Sequence, residues 1–335
     1  MAGPSASIAV LGAGSWGTAL AILLSRNGAN VKLWTHLQDH AEALQRDGEN
    51  RAFLPGYNFP PGLKSSADLA FALNATDEIL IAVPSHAFAR VLENSDALLS
   101  TGTSLSWATK GLQPGTGELL HELADRLPNI QSTAVVSGPS FAAEVARGLP
   151  TALTVASRSN EHAARLAGYL HSDSFRAYTS SDIIGLQVCG AAKNVMAIAA
   201  GIADGLGFGA NTRAALITRG LAEIMRLGLA LGGKPETFMG LGGLGDLILT
   251  CTDDQSRNRR MGLALANGLS IERAKQQIGQ EVEGIPTTRE IHQKAQTLEV
   301  DMPITEQTYR VLYQGLSPKA GVQALLERSQ KQETG

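Results

Sequence analysis

Cysteine is nearly absent from this chain: Cys189 and Cys251, far apart, are the only two in 335 residues. Two such residues build neither a disulfide scaffold nor a cysteine-based zinc module, and they fit a reducing compartment. No metal site is expected. Charged residues are 18% and aromatics 5% of the chain, and the charged share lies below the roughly 25% common in soluble domains. The net charge of −3 excludes a protein that coats polyanions by bulk charge. Any bound phosphate must be held by a local cluster of donors, and no nucleic-acid partner is expected. Residues 1–7 carry no basic run followed by an apolar core, so they do not read as a signal peptide, and a cytoplasmic location is expected. Long apolar runs are scarce as well. The exception spans residues 183–203, whose only charged member is Lys193. Its length suffices for a membrane span. A cation at the middle of such a span costs about 2.5–3.5 kcal/mol, however, and Gln187 and Asn194 add to that. A buried helix of a globular protein is the expectation, with no membrane partner.

Glycine is plentiful instead, at 36 residues, which implies tight turns and close backbone approaches. The first half alternates strand and helix signals. Ile8-Ala9-Val10-Leu11 is a short apolar run, followed by a helical stretch over 18–27 and by Val31-Lys32-Leu33-Trp34. Glu78-Ile79-Leu80-Ile81-Ala82-Val83 is stopped by Pro84. Leu105-Ser106-Trp107-Ala108-Thr109, Ala134-Val135-Val136-Ser137 and Ala152-Leu153-Thr154-Val155-Ala156 continue the series. This alternation predicts an α/β fold with a doubly wound, mainly parallel Rossmann sheet. After Asp182 the strand-like runs vanish, and helical stretches such as 213–231 and 270–278 take over. We therefore expect a dinucleotide-binding Rossmann domain over 1–188 and an all-helical substrate domain over 189–335. The polar tail 328–335 is expected to fray.

Gly12-Ala13-Gly14-Ser15-Trp16-Gly17 follows the first strand directly and opens a helix. Gly12 permits the tight turn, Gly14 lets the backbone approach a pyrophosphate, and Gly17 allows helix and strand to pack. The helix N-terminus adds unpaired N–H groups and a positive dipole end. A bare GxGxxG is weak evidence, but the strand before it and the helix after it make this one a dinucleotide site. The second strand ends Leu33-Trp34-Thr35-His36, without the acid that an NAD-selective site usually carries there. A 2′-phosphate meets no repulsion, and His36 is placed to donate to it unless it is an ordinary surface histidine. NADPH is expected to serve at least as well as NADH.

Lys193 is the sharpest signal in the second half. Burying it among Val188, Cys189, Ala191, Ala192, Val195 and Met196 is costly unless it is partnered, and desolvation lowers its pKa toward a range useful for proton transfer. The plainer alternative is a lysine that snorkels from a helix surface. Lys110 favours the first reading, because it follows a strand at the carboxyl edge of the sheet, where such folds bind ligands. The turn Ser137-Gly138-Pro139-Ser140-Phe141 reaches the same crevice. Four glycines before Asp246 suggest a backbone threading a crowded space beside the ligand. Ser256-Arg257-Asn258-Arg259-Arg260 reads as a phosphate clamp, since a guanidinium matches phosphate oxygens, or else as a solvated basic helix face.

Taken in order, these segments resemble the bacterial NAD(P)-dependent glycerol-3-phosphate dehydrogenases along nearly the whole chain. The match includes Ala108-Thr109-Lys110-Gly111-Leu112, Ala192-Lys193-Asn194-Val195, Gly243-Leu244-Gly245-Asp246-Leu247, Cys251-Thr252-Asp253-Asp254-Gln255 and Met302-Pro303-Ile304. The resemblance implies reversible reduction of dihydroxyacetone phosphate to sn-glycerol 3-phosphate, the backbone of phospholipids, with NADPH or NADH. It implies that Lys193 is the general acid, that Lys110 touches both cofactor and substrate, and that Asp246 orients the catalytic lysine. Gly138, Ser140, Ser256, Arg257 and Asn258 match substrate contacts. Ala142, Arg257, Glu281 and Glu283 match cofactor contacts, and Ser15 and Trp16 of the glycine turn and His36 after the second strand are expected to join them. Trp16 stands where the family varies among aromatics, and Glu281 where a neutral residue is common. A homodimer is expected. Two rivals remain at this point: a 3-hydroxyacid or ketopantoate-type reductase, which needs a carboxylate clamp, and a catalytically silent nucleotide-sensing module.

Overall fold

The computed structural model describes residues 6–329; the segment before residue 6 and the tail from residue 330 lie outside it. Among the described residues ten strands lie between Ser7 and Ser180: β1 (Ser7–Leu11), β2 (Asn30–Trp34), β3 (Glu49–Asn50), β4 (Leu54–Asn58), β5 (Leu63–Ser66), β6 (Glu78–Ile81), β7 (Thr103–Trp107), β8 (Ile130–Ser137), β9 (Thr151–Ser157) and β10 (Phe175–Ser180). Eight of them form one sheet in the order β10-β9-β8-β7-β6-β1-β2-β5, and β3 pairs with β4 in a separate hairpin. Pairing is parallel throughout the large sheet except between β8 and β9.

β1, at the centre of the sheet, is apolar on both sides because both faces are covered. Ile8 and Val10 point into one buried cluster, with Leu33 and Leu80, and Ala9 and Leu11 point into the other, with Ile79, Leu105 and Trp107. The chain runs outward from β1 to β2 and β5, then crosses back to β6 on the other side of β1. That reversal is the switch point at which doubly wound sheets bind ligands.

β5, β10 and the β3–β4 hairpin carry no clear strand signal in the sequence. β5 reads Leu-Lys-Ser-Ser and lies at one edge of the sheet, and β10 lies at the other with Tyr178 exposed. An edge strand needs only one buried side chain in two, so its apolar run is broken.

Among the described residues no strand follows Ser180. The long helix Ile183–Gly205 comes next, and nearly all of it is buried. It is the only helix of the described residues long and apolar enough to cross a membrane, but the window is 94% buried inside the protein. Its first residues, Ile183 and Leu186, belong to the sheet's core, and from Val188 onward it forms the centre of the helical core with Leu221, Ile224, Phe238 and Leu247. The helix Arg257–Ala266 crosses it at very close range. A Cβ built on Gly201 would lie 2.1 Å from the Arg259 carbonyl oxygen, and one on Gly262 2.1 Å from that of Ile198. Glycine at both points brings the two backbones together and fixes the later helix against the one that carries Lys193.

Candidate active site

Above the carboxyl ends of β1, β6 and β7 lies a cleft of about 430 Å³, closed on its far side by the helical half. At its floor the glycine turn divides its labour. A Cβ on Gly12 (φ +121°) would sit 2.8 Å from the Ala82 carbonyl, and one on Gly17 1.9 Å from the Gly12 oxygen, whereas nothing lies within 4 Å of the Gly14 position. Two glycines close the turn; the third opens onto the cleft. The helix Ser15–Arg26 starts here without a side-chain cap, so its first N–H groups are free to meet an anion. Trp16 lines the cleft, and its buried indole N–H has no partner among the described residues. This cradle fits a dinucleotide. His36, just beyond β2, does not line the cleft; it is exposed and tilted against Trp34 at 6.5 Å.

Lys110 leaves the loop after β7 and donates to Asp246 Oδ2 at 2.8 Å, while Lys193, midway along the long helix, donates to Asp246 Oδ1. One buried carboxylate thus holds two ammonium groups from opposite halves of the molecule. Asp246 follows a single π-helical turn, Leu241–Gly245, a distortion common at functional sites. The turn is crowded: a Cβ on Gly243 would lie 2.1 Å from the Phe238 oxygen. Burial alone would raise the Asp246 pKa, but the charges of Lys110 and Lys193 outweigh it and hold the carboxyl below its usual range. Burial pulls the Lys193 ammonium down to about 7; Asp246 opposes the shift and the like charge of Lys110 adds to it. A proton donor poised near neutrality results.

On the same wall of the cleft, packed against the Lys193 helix, the helix Arg257–Ala266 begins. Ser256 caps it, its hydroxyl accepting from the Arg259 N–H at 3.2 Å. Asn258 donates to Asn194 Oδ1 at 2.9 Å and accepts from the Gly284 N–H at 2.8 Å. Arg257 lines the cleft and makes no hydrogen bond or ion pair within the described residues; burial lowers its pKa, and the charge of Glu283 opposes that. A capped helix start with an uncommitted guanidinium suits a phosphate better than a carboxylate alone.

Ser140, Ala142, Glu281 and Glu283 also line the cleft. Ser140 Oγ donates to the Gly138 carbonyl at 3.0 Å, while Gly138 itself stands behind the wall, where a Cβ would meet Leu153 at 2.8 Å. The Glu283 carboxylate accepts from the backbone N–H (3.2 Å) and hydroxyl (2.8 Å) of Ser85 in the opposite half. Burial pushes its pKa up, and those bonds resist the rise. A further bond between the halves joins Gln255 to Glu144 at 3.0 Å. Sequence reasoning missed it, along with the wall formed by Phe53 and Leu54, whose hairpin has no apolar periodicity. Among the described residues no group of three or more His, Cys, Asp or Glu is placed to hold a metal ion.

A dinucleotide cradle at the sheet's switch point, facing two lysines held by one buried carboxylate, defines a two-lobed nicotinamide-dependent dehydrogenase. Residues 7–163 match the family model described as NAD-dependent glycerol-3-phosphate dehydrogenase N-terminus, and residues 182–323 match that of the C-terminus. The chain belongs to this family. It is 54% identical over 333 residues, 99% of this chain and 96% of the relative, to a glycerol-3-phosphate dehydrogenase [NAD(P)+] of Vibrio vulnificus. The crystal structure of glycerol-3-phosphate dehydrogenase from Coxiella burnetii superposes with a TM-score of 0.94 at 49% identity, covering 97% of this chain and 99% of that one. A ketopantoate reductase from Ralstonia eutropha shares the fold alone, with a TM-score of 0.59 at 17% identity, covering 94% of this chain and 99% of that one.

Proposed function

We propose that this protein reduces dihydroxyacetone phosphate reversibly to sn-glycerol 3-phosphate and so supplies glycerophospholipid synthesis. The observation that carries the reading is the pair of ammonium groups on Asp246, set beside the Ser256–Asn258 helix start, which bonds to Asn194 next to Lys193. The nicotinamide cofactor, when bound along Gly14, Ser15 and Trp16, supplies the hydride. Arg257, Ser256 and Asn258 hold the substrate phosphate. Lys110 polarises the ketone, and Lys193 donates the proton that converts the developing alkoxide into the hydroxyl. Asp246 keeps both cations in place. Purified protein should oxidise NADPH only when dihydroxyacetone phosphate is added; ketopantoate in its place should give no turnover, and the reverse outcome would overturn the assignment.

Two further expectations follow from the side chains. Reduction needs protonated Lys193, whose pKa lies near 7, so kcat/KM for reduction should fall as pH rises through that value, and the oxidation profile should rise. A profile flat from pH 6 to 9 would remove Lys193 as the titrating acid. Arg257→Ala should raise KM for dihydroxyacetone phosphate by one to two orders of magnitude, as expected for a charge-assisted bond of about 1.5–3 kcal/mol. An unchanged KM would contradict the clamp.

NADPH serves at least as well as NADH, since no acid stands at the end of β2 and His36 is exposed beside it; steady-state constants for both cofactors test this. The nucleotide lobe runs to residue 188 and the substrate lobe from 189, in keeping with the change of core partner along the long helix. Two free, buried cysteines suit the cytoplasm. A homodimer accounts for the exposed Phe208, Leu229, Met239 and Ile248 on the helical lobe, and sedimentation analysis checks it. The protein has no nucleic-acid or membrane partner in this scheme.

A further inference from the structure

Asn50, on β3, has no part in the chemistry above, yet it is only 1% exposed and its polar atoms are all engaged. Its Nδ2 donates to the Ala13 carbonyl at 2.9 Å and to Thr18 Oγ1 at 2.8 Å. Its Oδ1 accepts from the Phe53 N–H at 3.2 Å and faces His40 Nε2 at 3.3 Å. Ala13 lies between the first two glycines of the turn, and Thr18 lies in the first turn of its helix.

The backbone groups settle which end of the amide is which. A carbonyl can only accept and an N–H can only donate, so Nδ2 faces Ala13 and Oδ1 faces Phe53. His40 must then carry its proton on Nε2. In the neutral ring Nδ1 accepts, and Thr35 Oγ1 stands 3.2 Å from it. The His40 ring also meets Phe53 edge-on, with centroids 5.3 Å apart. A hydrogen-bonded line therefore runs from Thr35 through His40 and Asn50 to Ala13 and Thr18, with every donor pointing the same way. Its two ends lie where a dinucleotide is held at opposite parts: Thr35 at the end of β2, where the adenosine ribose is read, and Ala13 in the pyrophosphate turn.

We propose that Asn50 is a positioning residue for the dinucleotide and that, with His40, it locks the glycine turn, the Phe53 wall and the ribose-reading end of β2 into one register. This rests on the cofactor reading given above. Among the described residues no other side chain bonds the Ala13 carbonyl, and Ser15 Oγ donates to the Phe53 carbonyl at 2.7 Å, so the hairpin and the turn are tied at two points. The His40 link makes the 2′ end sensitive to that same register.

The test uses Asn50→Ala, His40→Phe and His40→Gln. Dissociation constants for NADPH and NADH are read from cofactor fluorescence, and steady-state constants for dihydroxyacetone phosphate are taken at saturating cofactor. Asn50→Ala should weaken both cofactors by about tenfold or more, with kcat and substrate KM within about twofold of wild type. His40→Phe keeps the ring contact but breaks the line, and it should shift the NADPH-to-NADH ratio of dissociation constants by about threefold. His40→Gln offers one accepting and one donating end and should restore the wild-type ratio. If Asn50→Ala lowers only the unfolding midpoint and leaves cofactor affinity unmoved, the residue is a structural tether and the proposal fails. It fails equally if substrate KM rises in step with the cofactor constants. Should Asn50→Ala not fold, the His40 pair decides: an unchanged ratio in His40→Phe overturns the inference. Wild-type protein that binds NADPH but ignores dihydroxyacetone phosphate would refute the proposed substrate while leaving this prediction standing.

Discussion

Lys193→Met should lower turnover in the reductive direction by about two to four orders of magnitude, the usual cost of losing a general acid. Methionine nearly matches the volume of the lysine stem, so the packed helix centre around Val195 and Met196 is retained. Asp246 keeps Lys110 as its partner at 2.8 Å, and no lone buried charge remains. The loss should therefore appear in kcat, with NADPH affinity within about threefold of wild type. Stopped-flow traces at saturating substrate would separate the chemical step from product release. Near-normal turnover in a folded variant would move the proton donor elsewhere, Lys110 being the nearest alternative cation.

Asp246→Asn should have the larger effect on the fold. It leaves two ammonium groups facing each other at a site with 0% exposure at residue 246. Removing one member of a buried ionic set costs about 3–5 kcal/mol when the others cannot neutralise. Here Lys193 can, because burial already holds it near 7, so the cost depends on pH. The carboxylate's charge raises the Lys193 pKa, and without it the folded-state value drops further below that of the unfolded chain. In the window between those two values the unfolded chain binds more protons, and stability falls as pH falls. Wild type leaves this window near pH 7; the variant stays in it to lower pH. The stability gap between them should widen as pH is lowered from 7 toward 5 and narrow toward 9. Urea midpoints at three pH values test the sign, and a gap that is constant or shrinks on acidification contradicts the charge arrangement.

The sequence made the sheet's centre and the chemical core legible, and physics explains the division. β1, β2 and β6 to β9 lie inside the sheet and bury side chains on both faces, so each announces itself by an apolar run, even where one face is polar, as at Ser104 and Ser106 of β7. β5 and β10 are edges and do not. The glycine turn is local: its strand, its turn and its helix are contiguous. Lys193 was conspicuous because a lone cation in an apolar helix must have a reason, and the structure supplies Asp246 as its partner. Other features depend on residues far apart in the chain. Nothing near Glu283 points to Ser85, nor anything near Gln255 to Glu144, because such bonds arise only when the two halves fold against each other. The hairpin Glu49–Asn58 was hidden for another reason: its two strands bury little apolar surface and are held by polar bonds, which leave no periodic trace.

The shared carboxylate also constrains how this family can diverge. A lineage that abandons catalysis but keeps the fold can discard one lysine and keep Asp246 paired with the other, but it cannot discard Asp246 first without leaving two ammonium groups face to face in the interior. Descendants repurposed as sensors or scaffolds should therefore lose a lysine before the carboxylate, and sequences that keep both lysines but lack Asp246 should be rare.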